Sequence, residues 1–163
     1  MKITFEKMSS THGKDIIDIY NHYVTKSLAA YPEKAVPYSY FDKFLRMAEG
    51  YPAYAILADG KTAGFCFLHP YKPLSTFSKS AEITYFLHQD FRGQGLGKRA
   101  LQKLENDARE MGITVLLANI ASENAESIAF HRKNGFRECG RFQGIISKMG
   151  RQFDIVWMQK EII

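Results

Sequence analysis

The second half of the chain alternates between strand-like and helical segments, and this alternation restricts the folds that it can adopt. Ala81 to His88 has high β propensity, and Ile113 to Ile120 is almost entirely apolar, as is typical of a strand covered on both faces. Between them, apolar residues recur at helical spacing from Leu96 to Met111, and Gly112 ends the predicted helix. The pattern predicts a strand, a helix and a second strand in succession.

A short helix and two further strands complete this half. Asn124 is a predicted N-cap for a helix that ends at Gly135. Phe136 to Phe142 and Asp154 to Glu161 are predicted as the final strands. The order β-α-β-α-β-β predicts an α/β layered domain with a mixed sheet.

The first half is predicted to contain more loops, because all five prolines lie there. Its predicted regular elements are a strand from Ile3 to about Met8, a helix from about Thr11, a helix from Tyr40 to Ala48, and strands at Tyr54–Ala58 and Gly64–Leu68. Asp59-Gly60 predicts a hairpin between the last two. The stretches 26–37 and 69–80 are expected to be irregular.

Composition places the chain among ordinary globular proteins. Its 163 residues are 45% hydrophobic and carry a formal charge of +5, which predicts one domain over residues 1–163 and suits an anionic ligand. No apolar run is long enough for a membrane helix, and no secretory signal is visible. Two cysteines in unrelated contexts and five scattered histidines suggest neither a disulfide framework nor a metal site. We therefore expect a cytoplasmic protein without metal or membrane partner.

A glycine-rich turn joins the fourth predicted strand to the helix that follows. It reads Arg92-Gly93-Gln94-Gly95-Leu96-Gly97-Lys98. Free amides at a helix start and glycines that allow close approach favour a phosphate. A Walker loop would need Ser or Thr after Lys98, and the glycine spacing does not match a dinucleotide fingerprint. A turn without a ligand stays open from this pattern alone.

The same turn resembles the acetyl-CoA pyrophosphate loop of the GNAT N-acetyltransferase superfamily, Arg-x-x-Gly-x-Gly/Ala. A second match comprises Asn124-Ala125-Glu126-Ser127, His131 and Gly135-Phe136. Within the superfamily, the chain is similar to phosphinothricin and methionine-sulfoximine acetyltransferases over nearly its whole length. The residues that carry this similarity are Ile19-Tyr20-Asn21-His22-Tyr23, Ala81-Glu82-Ile83-Thr84, Ser127-Ile128-Ala129-Phe130-His131, and Lys148-Met149-Gly150-Arg151 followed by Asp154.

The resemblance implies an α/β (α+β) fold with a central mixed, mostly antiparallel sheet flanked by helices. It places acetyl-CoA between the fourth and fifth strands, with the Leu87 N–H as oxyanion donor and Asn124 near the pantetheine. The backbone of Tyr85, Phe86 and Leu87 would follow the pantetheine arm. The pyrophosphate would bind at Arg92, Gly93, Gln94, Gly95, Leu96, Gly97 and Lys98.

Glu82 is the predicted general base of this reaction, in which a neutral amine attacks the thioester directly. An amine is largely protonated near pH 7, and burial in an apolar strand would raise the pKa of Glu82 towards the useful range. The alternative is a glutamate on the solvent face. His131 stands where many superfamily members carry a tyrosine that protonates the leaving thiolate, and a structural histidine is an equal alternative. Cys66 and Cys139 are expected to be core residues and not nucleophiles.

The acceptor is the least determined part of the prediction. We expect a small amine, an amino acid or an analogue, bound by the loop Tyr71 to Phe77 with Ser75, Thr76 and Phe77, and by Lys79 where relatives carry an arginine nearby. A non-catalytic acyl-CoA sensor and a protein N-acetyltransferase are the alternatives. Nucleic acid is not expected, since CoA phosphates account for the basic helix. A homodimer is expected, with Tyr38, Tyr40, Phe142 and Phe153 as candidate interface residues.

Overall fold

A central sheet of seven strands runs through the structure, a computed structural model that describes residues 1–163. The strands are β1 (Ile3–Lys7), β2 (Ala53–Ala58), β3 (Lys61–His69), β4 (Ser80–Leu87), β5 (Val115–Ala121), β6 (Arg137–Lys148) and β7 (Arg151–Glu161). Their order across the sheet is β1-β2-β3-β4-β5-β7-β6. Only β4 and β5 are parallel, and every other neighbouring pair is antiparallel. The predicted mixed, mostly antiparallel sheet is confirmed.

Helices cover both faces of this sheet. They are α1 (Gly13–Lys26), α2 (Phe41–Met47), α3 (Leu96–Glu110) and α4 (Ala125–Lys133). None of them combines the length and the apolar character that a membrane-spanning helix requires. The strand-helix order of the second half is confirmed, and residues 27–37 are irregular as predicted.

The two faces of the sheet belong to separate hydrophobic clusters because side chains alternate along each strand. On one face, Phe65 and Phe67 of β3 pack with α1 and α2 through Ile17, Tyr20 and Phe44. The cluster on the opposite face joins alternate residues of β3 and β4, such as Cys66, Leu68 and Ile83, to Leu101 and Leu104 of α3. The middle of the sheet is therefore buried on both faces, and packing there holds the helices in place against the strands.

Two hairpins have turns of the same kind. Asp59 and Gly60 have φ values of 49° and 82°, and Met149 and Gly150 have 53° and 70°. Two successive residues with positive φ form the tight turn that suits antiparallel strands. The first hairpin is confirmed, whereas the last two strands are longer than predicted and meet at Met149-Gly150. Sequence periodicity missed this extension because β6 is an edge strand whose residues are nearly all exposed.

The aromatic residues predicted to form a dimer interface are in different environments. Phe153 is only 3% exposed and belongs to the core. Tyr40 lines an internal cleft. Tyr38 and Phe142 are exposed on the surface. Phe153 is therefore not available as a free surface, whereas Tyr40 is half-buried against Tyr20 and Phe44.

The parallel strands β4 and β5 are paired over only three residues each, Ser80–Glu82 with Val115–Leu117. Beyond Glu82 and Leu117 the two strands diverge, so a wedge-shaped gap opens in the sheet. Residues of α1, α2, α3 and α4 reach this gap, so it lies between helices of the first and the second half of the chain.

Candidate active site

A cleft of about 490 Å³ occupies the gap between β4 and β5. Its walls come from the diverging strands, from α1, α2 and the segment between them, and from α4. Aromatic side chains line much of it, namely Tyr20, Tyr23, Tyr31, Tyr40, Phe44, Phe67, Tyr85, Phe86 and Phe130. A cleft of this size, lined mainly by apolar and aromatic residues with polar groups between them, is typical of a small-ligand site.

One end of the cleft lies at the start of α3. Gly95 is the N-cap of this helix, has a φ of 82°, and contributes no capping side chain. Gly93 has a φ of 74°, and no atom lies within 4 Å of where a Cβ would stand at either glycine. The first amides of α3 therefore have no side-chain acceptor and are open to an anion. We name this region, Arg92–Lys98 with the N-termini of α3 and α4, the cofactor end.

Arg92 and Glu126 form an ion pair across the cofactor end. The Arg92 Nη2 atom lies 2.6 Å from Glu126 Oε2, and Glu126 is in the first turn of α4. Both side chains are largely exposed and both line the cleft. An anionic ligand at the start of α3 would compete with Glu126 for Arg92. Glu126 appeared in the sequence only as part of a motif, with no role of its own.

The backbone of β4 presents hydrogen-bonding groups to the gap. The His88 N–H donates to the Ala63 carbonyl on β3 at 2.7 Å. Because successive residues of a strand direct their amides to opposite sides, the N–H groups of Tyr85 and Leu87 point away from β3 and towards the gap. The Tyr23 hydroxyl donates to the Leu87 carbonyl from α1. The Leu87 amide, the predicted oxyanion donor, therefore faces the gap.

Glu82 lies at the apex of the gap, in the last residue pair between β4 and β5. Its side chain is 18% exposed and lines the cleft, as do those of Thr84 and Phe86 on the same face of β4. It does not lie on a solvent face of the strand. Burial raises the pKa of Glu82 to about 7. A carboxyl group with this pKa can both accept and release a proton at neutral pH.

Three further polar residues, His69, Tyr31 and Asn119, line the cleft with Glu82. The His69 ring on β3 approaches it, with 3.7 Å between His69 Nε2 and Glu82 Oε2. The Tyr31 hydroxyl, from the segment between α1 and α2, donates to Asn119 Oδ1 on β5 at 2.7 Å. Burial, and then the negative charge of Glu82, raise the pKa of Tyr31 to about 12.

Lys43 of α2 contributes a positive charge to the lining of the cleft, where its side chain is exposed. Its Nζ atom lies 5.1 Å from the centre of the Tyr40 ring and makes no ion pair with any carboxylate of the chain. The region formed by Tyr31, Lys43, His69, Glu82 and Asn119 is called the acceptor end. Sequence reasoning missed four of its five members, because only chain folding brings these distant residues together.

His131 is 4% exposed and makes hydrogen bonds through both ring nitrogens. Nδ1 lies 2.7 Å from the Ser127 carbonyl oxygen, and Nε2 lies 2.5 Å from the Tyr85 hydroxyl. A carbonyl oxygen can only accept, so Nδ1 carries the proton and Nε2 accepts from Tyr85. Burial lowers the pKa of His131 below its ordinary value, which keeps the ring neutral at pH 7. In this arrangement neither nitrogen has a free N–H to offer a ligand.

The predicted residues divide into three groups by position. The cleft lining contains Glu82, Tyr85, Phe86, Leu87, Arg92, Gly97, Asn124 and His131. Gly93, Gln94, Gly95 and Lys98 are exposed in the turn beside it, and the Leu96 side chain is in the core. Asn124 is the N-cap of α4, as predicted: its side chain accepts a hydrogen bond from the Ser127 amide at 3.2 Å.

The predicted acceptor loop is not brought to the cleft. Ser75, Thr76 and Phe77 form a short 3₁₀ turn on the outside, and the Lys79 side chain is exposed elsewhere. The loop follows the sheet instead of covering the gap, because Tyr71 packs against Phe77 and against Trp157 of β7. Lys43 lines the cleft, whereas Lys79 does not.

Comparison with known proteins identifies relatives of this architecture. A model of the Acetyltransferase (GNAT) family matches residues 16–136. A methionine sulfoximine/methionine sulfone acetyltransferase of Pseudomonas aeruginosa is 35% identical over 149 residues, which cover 88% of this chain and 86% of that protein.

Two solved structures are similar over almost the whole chain. A phosphinothricin acetyltransferase of Sinorhizobium meliloti, solved in complex with acetyl-CoA, has a TM-score of 0.91 and 26% identity, covering 99% of this chain and 89% of that one. A ribosomal-protein-alanine N-acetyltransferase of Brucella melitensis has a TM-score of 0.89 and 32% identity, covering 99% of both chains.

Proposed function

Because the chain belongs to the GNAT acetyltransferase family, we propose that it transfers the acetyl group of acetyl-CoA to the amine of a small amino-acid-like acceptor. The observation that carries this proposal is the single cleft that joins the uncapped start of α3 to the buried carboxyl group of Glu82. One end suits a phosphate-bearing molecule, and the other suits an amine. Relatives named for methionine sulfoximine and phosphinothricin support an amino-acid-like acceptor.

The cofactor end fits the phosphates of acetyl-CoA. The α3 amides and Arg92 would hold the pyrophosphate, the backbone of Tyr85 and Leu87 would bind the pantetheine arm, and Asn124 would contact it from α4. The diverging strands leave the β4 amides free of β5, which gives an extended ligand a place to bind. Acetyl-CoA supplies the activated acetyl thioester.

Glu82 is proposed as the general base. A primary amine near pH 7 is mostly an ammonium ion, which has no lone pair for attack. With its pKa raised to about 7, Glu82 is about half ionised at neutral pH and can remove the ammonium proton. The Leu87 amide would stabilise the negative charge that develops on the thioester oxygen.

No covalent enzyme intermediate is required, because the amine attacks directly. Burial raises the pKa of the Cys66 thiol far above neutrality, so this residue is unreactive. Cys139 lies on the exposed strand β6, outside the cleft. His131 has both ring nitrogens engaged, so we assign it a positioning role and propose that solvent protonates the departing thiolate.

Lys43 is proposed to bind the carboxylate of the acceptor. It supplies a positive charge at the acceptor end, where Glu82 supplies a negative one. An α-amino acid carries the complementary pair, an ammonium and a carboxylate on one carbon. Aromatic walls from Tyr40, Phe44 and Phe67 leave room for an apolar or modestly polar side chain.

An acceptor screen tests this function. The purified protein is incubated with acetyl-CoA and, separately, with L-amino acids, methionine sulfoximine, phosphinothricin and an N-terminal alanyl peptide. Release of CoA thiol and the mass of the product are measured. We expect acetylation of at least one free amino acid or analogue, and little with the Glu82→Gln variant.

Three outcomes would contradict the proposal in different ways. Acetylation of the peptide alone would indicate a protein acetyltransferase. Saturable binding of acetyl-CoA without thiol release for any amine would favour a sensor. Equal rates for Glu82→Gln and the wild type would remove Glu82 from the mechanism.

A further inference from the structure

His69 and Glu82 are paired across two strands at the acceptor end. They are direct register partners between β3 and β4, so the sheet itself fixes their backbone separation. Their side chains are 15% and 18% exposed, and 3.7 Å separates His69 Nε2 from Glu82 Oε2. The His69 ring also packs against Phe67, with 6.0 Å between ring centres. The imidazole is therefore held beside the carboxyl group by both backbone and packing.

The hydrogen bond on the far side of the ring determines which nitrogen faces Glu82 without a proton. His69 Nδ1 lies 3.1 Å from the Pro70 carbonyl oxygen, which can only accept. The Nδ1 atom is thus the donor in the neutral ring, and Nε2 presents a lone pair towards Glu82. Burial lowers the pKa of His69, so the neutral form predominates at pH 7.

No other base approaches Glu82. The groups that face the acceptor end from the surrounding elements are Tyr31 before α2, Lys43 on α2 and Asn119 on β5. The Tyr31 hydroxyl donates a hydrogen bond to Asn119, and the pKa of Tyr31 is raised. Lys43 lies against Tyr40, and no lysine or arginine nitrogen comes within 4.0 Å of the Glu82 carboxylate. A proton on Glu82 therefore has a single basic neighbour.

We propose that His69 is a proton-relay residue that receives from Glu82 the proton taken from the acceptor ammonium and delivers it to solvent. The inference rests on the proposed function, since it needs an amine to deprotonate. It concerns a positioning residue that acts through Glu82.

The proton balance of the relay is complete without a further reactant. One N–H bond of the ammonium breaks and an O–H bond forms on Glu82. Because 3.7 Å is beyond hydrogen-bond distance, one water bridges the two side chains: it takes the proton of that O–H bond and gives one of its own to His69 Nε2. The product is an imidazolium whose Nδ1–H stays on the Pro70 carbonyl. Solvent then accepts the Nε2 proton, and both residues return to their starting states.

The relay answers a difficulty that burial creates. A carboxyl group with an apolar environment and an acceptor in front of it has little direct access to water, so its proton would leave slowly. His69 ends β3, its side chain is 15% exposed, and the loop residues from Tyr71 to Thr76 are exposed. It therefore lies between the buried carboxyl group and the surface.

Replacement of His69 with alanine, followed by addition of imidazole, tests the relay. We expect kcat of His69→Ala to fall about tenfold at pH 7, with KM for acetyl-CoA and for the acceptor within about twofold of the wild type. Imidazole in solution should restore part of the lost kcat. The matched control is His12→Gln, because His12 contacts Glu6 at 3.1 Å outside the cleft. It should keep the wild-type rate and show no response to imidazole.

A second readout uses the ligand-free protein and does not depend on turnover. The carboxyl carbon of Glu82 is followed by NMR from pH 4 to pH 9 in the wild type and in His69→Gln, with Glu82→Gln for assignment. A coupled pair predicts a lower Glu82 midpoint in His69→Gln, by more than half a pH unit, because the Nε2 lone pair of the neutral ring no longer favours the protonated carboxyl group.

The two readouts separate the relay from the proposed function. An unchanged Glu82 midpoint in His69→Gln, or a folded His69→Ala with full kcat or with no response to imidazole, would overturn the relay. Wild-type protein that acetylates no amine would instead overturn the proposed function. In that case the NMR midpoints still decide whether His69 and Glu82 exchange charge.

Discussion

The two ends of the cleft are built in different ways. The cofactor end uses a contiguous segment, Arg92 to Lys98, and relies largely on backbone amides at the start of α3. The acceptor end uses side chains from five separate parts of the chain, and its Tyr31–Asn119 hydrogen bond joins residues 88 positions apart. A site made of backbone leaves a compact pattern in the sequence, whereas a site assembled from distant side chains leaves none. The structure therefore adds most at the acceptor end.

The largest expected effect is the loss of kcat in a variant of the acceptor end that still binds acetyl-CoA. Glu82→Gln removes the base but leaves the cofactor end intact, so we expect kcat to fall by about 10² or more. Acetyl-CoA affinity should remain within about twofold of the wild type, because Glu82 makes no contact with the α3 start. Steady-state kinetics and calorimetry measure the two quantities. If affinity fell as far as kcat, the two ends would not be independent.

The next effect is on the pH dependence of stability, which should differ between the buried Glu82 and the exposed Glu126. The pKa of Glu82 is raised from 4.5 to about 7 by burial, so the folded state holds a proton that the unfolded chain has lost between these values. Stability is therefore lost as pH rises through this window. Glu82→Gln should be more stable than the wild type above pH 7, by at most about 3 kcal/mol, and similar to it at pH 4.

Thermal unfolding at pH 4 and pH 8 checks this sign. The matched control is Glu126→Gln at the cofactor end, where the Arg92 pair is exposed and contributes little. Its pH dependence should follow that of the wild type. A Glu82→Gln variant that is less stable than the wild type at pH 8 would show that Glu82 is ionised without cost.

A change of backbone geometry at the cofactor end should have a smaller effect, and it should weaken acetyl-CoA binding instead of lowering kcat. Gly95→Val places a branched side chain at a φ of 82°, which costs roughly 1–2 kcal/mol or displaces the first turn of α3. We expect acetyl-CoA to bind about tenfold more weakly, with acceptor KM little changed. Gly112→Val is the control, since Gly112 has a φ of 80° after the other end of α3. If both variants bind acetyl-CoA equally well, the α3 start does not hold the pyrophosphate.

The sequence accounted for the fold far better than for the acceptor end. Periodicity and turn residues located most elements, because Phe65, Phe67 and their neighbours are buried on both faces of the sheet. It failed where burial is absent, as in the exposed edge strand β6. Lys79 was expected near the acceptor, yet Lys43 lines the cleft, because no local pattern records how the loop after His69 turns away from the gap.

The smallest expected effect is on acceptor recognition. Lys43→Met removes the positive charge but keeps the length of the side chain, so KM for an amino-acid acceptor should rise about fivefold, in line with an exposed charge interaction. KM for acetyl-CoA should not change. Kinetics with an amino acid and with the matching amine that lacks a carboxylate make the comparison. An equal rise in KM for both acceptors would show that Lys43 does not bind the carboxylate.

A calorimetric titration of acetyl-CoA into the wild-type protein is the decisive measurement, because every role assigned in the cleft depends on that ligand. We expect saturable binding with one molecule per chain, weakened in Gly95→Val and retained in Glu82→Gln. Absence of binding to the folded wild-type protein would contradict this expectation.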